Sequence, residues 1–370
     1  MKVLLLGAGA SKPAGYPLAR ELIDTIGAEA AASPFFQYRE AWGAWQSYRE
    51  DTKDLLRSLL FSPNPEVVLS IPDLFEVAVA SQDRAEFDLF RSRFEEDPNA
   101  SPADYEAYLD SPTREALRAA VVARSRFLLC LDWFFRFRHA QDASQRARLD
   151  YLRTLVHDLG LGDIVITLNW DTALERTLCE EGLRNPVNGY GFQKVLVHRS
   201  SDYDEPQTLP EDFPQSPIEV LKLHGSFGWV QHGPNLVFEH ARYLSLLGFK
   251  WDGAALRLRD PVETSLMGTS PSALLYPSFL KQIKINIPDL QRIWSRAAAA
   301  VERATQLDVW GYSLPESDGP VRALLAGLRD RSEAGSLRLV VHDPCPEVLH
   351  RWESFVGPSA AFERHSLTAT

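Results

Sequence analysis

The chain begins Met1-Lys-Val-Leu-Leu-Leu-Gly-Ala-Gly-Ala-Ser11, an aliphatic run that passes straight into a glycine turn. Val3 to Leu6 is short and unbroken by polar residues, the pattern of a strand buried on both faces of a parallel sheet. Four more segments share that form. Asp163-Ile-Val-Ile-Thr-Leu168 ends at Asn169, and Glu219-Val-Leu-Lys-Leu-His224 at Gly225. Leu307-Asp-Val-Trp310 ends at Gly311, and Leu337-Arg-Leu-Val-Val-His342 at Asp343-Pro344. Helical patterns separate them at Ala19 to Ile26, Asp150 to Leu159, Thr172 to Glu181, Asp289 to Gln306 and Pro320 to Leu328. The alternation predicts an α/β fold: a doubly wound, Rossmann-like, mostly parallel sheet.

In such sheets ligands sit beyond the C-terminal ends of the strands. The first of those ends is the glycine turn. Gly7 and Gly9 lack a Cβ, so the backbone there can turn sharply and approach a ligand. A helix that follows would aim its first amides at a pyrophosphate. The full dinucleotide fingerprint asks for a third glycine where Lys12 stands, and no lysine followed by Ser or Thr completes a P-loop. The turn reads either as a nucleotide cradle or as a plain strand–helix turn.

Composition narrows the classes. With 370 residues the chain can bury a large core, and 45% hydrophobic with 24% charged residues is ordinary for a soluble protein. The formal net charge of −11 argues against direct nucleic-acid binding, which needs clustered Lys and Arg. Cys130, Cys179 and Cys345 lie far apart with no Cys-x-x-Cys pair, so a four-thiolate zinc site is excluded and no metal is expected. No disulfide framework, signal-peptide pattern or apolar run of about 18 residues is present, and a cytoplasmic protein without membrane contact is expected. Residues 35–140 break the alternation. They are aromatic-rich and helical in pattern, and read as a helical insert whose Phe and Trp residues build its own core. Residues 1–34 and 141–370 then form the sheet domain, with loops and small strands expected over 185–217 and 233–277.

The strand ends bring together Asn169, Trp170 and Asp171; His224 and Gly225; and Gly311, Tyr312 and Ser313, with Asp318 shortly after. On one sheet these would share a crevice holding amide donors, a carboxamide, an imidazole and a carboxylate. Each has a plainer reading. Asn169 or Asp171 could cap the helix from Thr172, Asp318 the helix from Pro320, and His224 could be structural. Tyr312 and Trp229 suit packing.

Five motifs occur in order: Gly-Ala-Gly-Ala-Ser at 7–11, Ala-Gly-Tyr-Pro at 14–17, Thr-Leu-Asn-Trp-Asp at 167–171, Leu-His-Gly-Ser at 223–226 and Gly-Tyr-Ser-Leu-Pro at 311–315. Together they resemble the Sir2 superfamily, and more closely the bacterial Sir2-like proteins of antiviral defence than the protein-deacetylating sirtuins. Tyr-Pro-Ser-Phe-Leu-Lys at 276–281 and Ile293-Trp294 add to the likeness. The insert lies outside it. The resemblance implies that Gly7, Ala8, Gly9 and Ser11 bind the NAD pyrophosphate. It places Asn169 beside the nicotinamide ribose, Asp171 at the nicotinamide carboxamide and His224 as catalytic base. It puts Gly311 and Ser313 along the phosphate and adenosine-ribose side. Arg20 falls where sirtuins carry an arginine, and Asp343 where they bind the adenosine ribose. Departures matter too. Leu18 and Ala19 replace the Asp and Phe of sirtuins, which favours entry of water, and the zinc ribbon is missing.

The implied activity is NAD+ glycohydrolysis to nicotinamide and ADP-ribose by an antiphage abortive-infection effector, with NAD as substrate and no metal. A homo-oligomer and an operon-encoded activator, Argonaute-like or a HerA-like ATPase, are the implied partners. Two other readings stand beside it: an NAD-dependent protein deacylase, and a non-catalytic sensor of NAD or ADP-ribose.

Overall fold

A computed structural model describes residues 1–18, 21–51, 126–135, 149–184, 216–226, 288–316 and 318–365, single residues 122, 138, 190 and 192, and short strands between 194 and 258. In chain order the elements run β1 (Lys2–Leu6), α1 (Ala8–Ser11), α2 (Leu22–Ala32), α3 (Phe36–Asp51), α4 (Asp150–Val156), β2 (Ile164–Thr167) and α5 (Ala173–Glu180). Then come β3 (Lys194–Val195), β4 (Gln207–Thr208), β5 (Glu219–Lys222), β6 (Trp229–His232), β7 (Asn235–Phe238), β8 (Phe249–Trp251) and β9 (Leu256–Leu258). The chain continues through α6 (Pro288–Arg303), β10 (Gln306–Trp310), α7 (Gly319–Leu324), α8 (Leu328–Glu333), β11 (Arg338–His342), α9 (Pro346–Val356) and β12 (Ala361–Glu363).

These residues form two compact units. One holds residues 1–18 and the described residues from 135 onward; the other holds 21–51 and 126–134.

The larger unit is built on a six-stranded, all-parallel sheet in the order β12-β11-β10-β1-β2-β5. Counted along the chain within this sheet, the order from β5 is 3-2-1-4-5-6, that of doubly wound dinucleotide-binding folds. The first three strands build outward on one side of β1 and the last three on the other. The direction of winding switches between β1 and β10, and that is where a ligand crevice forms in this architecture. β1 is central: Leu5 is flanked by Val309 and Ile166. Val3, Leu4, Leu5 and Leu6 are at most 1% exposed. Burial of side chains of this size contributes about 1.5–3 kcal/mol each. The five strands expected from the alternation all lie in this sheet, and β12 adds a sixth.

α6 lays Leu290, Ile293, Ala297, Ala300 and Val301 inward at helical spacing. It ends at Arg303, short of the expected Gln306, because Gln306 is already paired in β10 with Lys2. The helix expected from Pro320 to Leu328 is two pieces, α7 and α8, broken by a turn that ends at Gly327, a poor helix former. Of the helix expected at Ala19 to Ile26, residues 19 and 20 lie outside the described residues, and α2 covers Leu22 onward and runs to Ala32. α9 and β12 were not anticipated. Pro346 at the start of α9 suits the first helical turn, and Ala-Phe-Glu is too short to show a strand period. The stretches expected to hold small strands contain two antiparallel ribbons, β3 with β4 and β8 with β9, and the strand β7, whose partner β6 lies just ahead of the second stretch.

In the smaller unit α2 packs with α3. A Cβ on Gly27 would meet the Trp42 ring at 2.7 Å, so glycine is what admits that ring. The Tyr38 hydroxyl donates to the Ile26 carbonyl at 3.1 Å, and Trp45 lies against Phe127 with both rings fully buried. Most of the 35–140 stretch lies outside the described residues, as do residues 276–281 of the quoted motifs. Among the described residues no helix is long and apolar enough to cross a membrane.

Candidate active site

The switch point is a crossing of two backbones. The Gly7 N–H donates to the Trp310 carbonyl at 3.0 Å and the Gly9 N–H to the Gly311 carbonyl at 2.9 Å. A Cβ on Gly7 would meet the Gly311 oxygen at 2.5 Å; one on Gly311 would meet the Ala10 nitrogen at 2.3 Å. Gly311 also has φ +62°, a left-handed backbone that costs side-chain-bearing residues about 1–2 kcal/mol. The three glycines are therefore required by close approach of the chain to itself. Two amides expected to face a pyrophosphate are spent inside the turn, and a phosphate here is left with the others. The helix after the turn is a single turn, α1, with Ala8 exposed and Ser11 buried.

Ser11 reaches the neighbouring strand end. Asn169 donates through Nδ2 to the Ser11 hydroxyl at 2.8 Å, and its own N–H is held by the Thr167 hydroxyl at 3.1 Å. Ser11 also hydrogen-bonds Asp171. Three residues singled out separately in the sequence thus form one polar cluster. Asp171, one residue ahead of the N-cap Thr172, accepts from the Ala173 N–H at 3.0 Å and so satisfies the first amide of α5. It is fully buried. Desolvation pushes its carboxyl above the usual carboxylate range, while the Lys222 ammonium and the Ser11 hydroxyl pull the other way.

Beneath this cluster lies an ion pair that the sequence reading missed. Lys222 of β5 and Glu175 of α5 are both 0% exposed and stand 2.7 Å apart. Lys222 also donates to the Asp171 carbonyl, and the Tyr190 hydroxyl donates to the same Glu175 oxygen at 2.6 Å. A buried charge pair holds only if its remaining hydrogen bonds are met. Here the bonds of Lys222 Nζ and Glu175 Oε1 tie β5, α5 and the loop after β2 together, while Glu175 Oε2 makes no hydrogen bond among the described residues. A charged residue inside the run Val-Leu-Lys-Leu was the available clue.

β5 then delivers His224. The carbonyls of Leu223 and His224 are held by the indole N–H groups of Trp294 at 3.1 Å and Trp170 at 3.0 Å. Gly225 follows with φ +77°. The imidazole is 9% exposed, and its Nε2 has no hydrogen-bond partner among the described residues. Asp318 Oδ1 stands 3.6 Å from that nitrogen. Asp318 occupies the N-cap position of α7, yet its side chain makes no cap bond; its other oxygen accepts from the Tyr312 hydroxyl at 2.9 Å. The capping reading of Asp318 is overturned, and Tyr312 has a polar task besides packing against Trp352. Trp229 is core, edge-on to Tyr190 and Phe192.

The remaining candidates divide. Ser313 is exposed, its carbonyl bound by Arg351 at 2.6 Å, and Leu314 beside it holds φ +51°, an uncommon left-handed backbone for a non-glycine residue. Asp343 is buried and accepts from the Cys345 N–H at 2.9 Å; burial raises its carboxyl as well. Gly311 is tied to β11 through the His342 carbonyl at 3.3 Å. Arg20 lies outside the described residues. Asn169, Ser11, Asp171, His224, Gly7, Gly9 and Gly311 thus all gather at the C-terminal end of the sheet, within one unit. Compared with models of known protein families and with curated proteins, the chain matches none.

Proposed function

We propose that the protein is an NAD+ glycohydrolase of Sir2-like fold, cleaving NAD+ to nicotinamide and ADP-ribose. One observation carries the reading: His224 Nε2, buried and without a hydrogen bond, lies 3.6 Å from the Asp318 carboxylate at the ligand-binding end of a doubly wound sheet. Buried polar atoms are nearly always paired, so an unmet one calls for a reason, and a reacting group is such a reason.

The chemistry suits these residues. Loss of nicotinamide builds positive charge on the ribose, as in glycoside hydrolysis. Asn169 donates to Ser11, which fixes its amide and leaves Oδ1 to orient a water. His224 accepts the proton, and Asp318, held by Tyr312, steadies the imidazolium that results. Asp171, buried and committed to the Ala173 N–H, shapes the nicotinamide end. Leu18, in place of the sirtuins' aspartate, belongs to the same reading, as do action in the cytoplasm for antiviral defence, assembly into a homo-oligomer and control by an operon-encoded activator.

The test is nicotinamide release by the purified chain, alone and with the proteins encoded beside it. Asn169→Ala and His224→Ala should each lower release at least about 100-fold with the fold intact by circular dichroism. No release under any of these conditions overturns the reading, and so does release unchanged in both variants. A second reading is binding of NAD or ADP-ribose in the same crevice without turnover. It predicts tight NAD binding that Asn169→Ala leaves unchanged.

A further inference from the structure

The far flank of the sheet carries a group of side chains that the proposed activity does not use. His342 ends β11 and Glu363 ends β12, and the two are register partners. His365 follows two residues on, past the end of β12, where its N–H donates to the Glu363 carbonyl at 3.1 Å in a tight turn. His342 Nδ1 and His365 Nε2 each stand 3.2 Å from Glu363 Oε2. One ligand atom from each of the three residues falls within 4.8 Å of the other two.

We propose that His342, Glu363 and His365 form a binding site for a divalent transition metal of the zinc class. A tetrahedral zinc with bonds of about 2.0–2.1 Å spaces its ligand atoms about 3.3 Å apart, and both separations from Oε2 match that edge, the one to His365 being spanned in this structure by a direct hydrogen bond. The donor set of two imidazoles and one carboxylate is one that zinc takes, and it leaves the fourth position open to water or an anion.

A second observation points the same way. The His342 side chain is 10% exposed, and its Nδ1 makes no hydrogen bond to Glu363 or to any other described group. A buried ring nitrogen left without a bond is what an absent ligand would leave behind. The ring itself is held. Trp310 stacks on it with centroids 3.9 Å apart and planes 11° from parallel, and the same indole lies 5.3 Å from the His365 ring. An apolar wall of this kind orients the ligands and limits solvent access, as the outer shell of metal sites does. Cysteine spacing, which excluded a thiolate site, is silent on a site of this kind. The sequence trace is only Glu-x-His at 363–365 and a histidine 21 residues earlier at a strand end.

The test uses the whole chain, free of any histidine tag and stripped with a chelator. Zinc chloride is titrated by calorimetry, Co(II) by its visible absorption, and the histidine side chains are followed by NMR. Expected are one equivalent of zinc, a tetrahedral Co(II) spectrum, and shifts confined to two imidazoles. His365→Ala and Glu363→Gln should each weaken binding at least about 100-fold. His365 is 53% exposed, so its loss leaves the fold intact and the outcome readable. Failure to bind one equivalent overturns the site. So does binding equally tight in both variants, which would place the metal elsewhere.

Discussion

The two sides of β1 meet the same requirement, close packing at the C-terminal end of a parallel sheet, by opposite means. Toward β10 the chain removes side chains. Gly7, Gly9 and Gly311 let two backbones touch, and their N–H and C=O groups satisfy one another. Toward β2 and β5 the chain adds polar side chains and pairs them: Ser11 with Asn169 and Asp171, Lys222 with Glu175 and Tyr190. The glycine side leaves no donor in surplus from Gly7 or Gly9. The polar side pairs Glu175 through Oε1 but leaves its Oε2, like His224 Nε2, without a hydrogen bond among the described residues. A residue whose presence packing or pairing already explains is weak evidence of chemistry. A buried group that neither explains is stronger evidence.

Three perturbations would break or sharpen this contrast. The largest effect is expected from Lys222→Met, which strands the Glu175 carboxylate in the core and should cost about 3–5 kcal/mol in urea unfolding. Adding Glu175→Gln should recover part of that loss, since the second change removes the stranded charge; a double variant as unstable as the sum would deny the pairing. Gly311→Ala comes next. It places a methyl 2.3 Å from the Ala10 nitrogen at a left-handed backbone and should cost about 2–4 kcal/mol. A loss below about 1 kcal/mol would show that the crossing is looser than the close contacts imply.

The smallest effect concerns Asp171. Burial raises its carboxyl above the value in the unfolded chain, so the folded state keeps that proton to higher pH. The stabilisation it brings is complete below the unfolded value of about 3.9 and is lost as pH rises through the folded one. Asp171→Asn cannot titrate. Urea midpoints measured from pH 4 to 8 should therefore shift against the wild type, relative to the variant, as pH rises. A difference that stays constant with pH would mean the Lys222 and Ser11 interactions offset the burial.

Much of this was legible in the chain. Continuous aliphatic runs at Val3 to Leu6 and Ile164 to Ile166 mark doubly buried strands because a strand covered on both faces has no polar position to spare. The strand ends are legible because Gly, Asn and His interrupt such runs. Other features were not. Asp318 looks like a cap because Asp before Gly-Pro is a common helix start, and only its distance to His224 reveals another use. Lys222 and Glu175 lie 47 residues apart and meet only across β5 and α5. Glu363 and His342 become neighbours only when β12 pairs with β11.

The sequence by itself determined the α/β class of the fold, five of the six strands of the sheet and the short set of residues at the strand ends. Those depend on local periodicity, which each segment carries in its own side chains. Only the tertiary structure decided what those residues do to one another. It spent the Gly7 and Gly9 amides on β10, tied Asn169 to Ser11, drew Lys222 under Asp171 and left His224 Nε2 beside Asp318 without a hydrogen bond. The physical reason is that hydrogen bonds and charge pairs are set by distance and direction in space, and strand order, which no single segment encodes, fixes both.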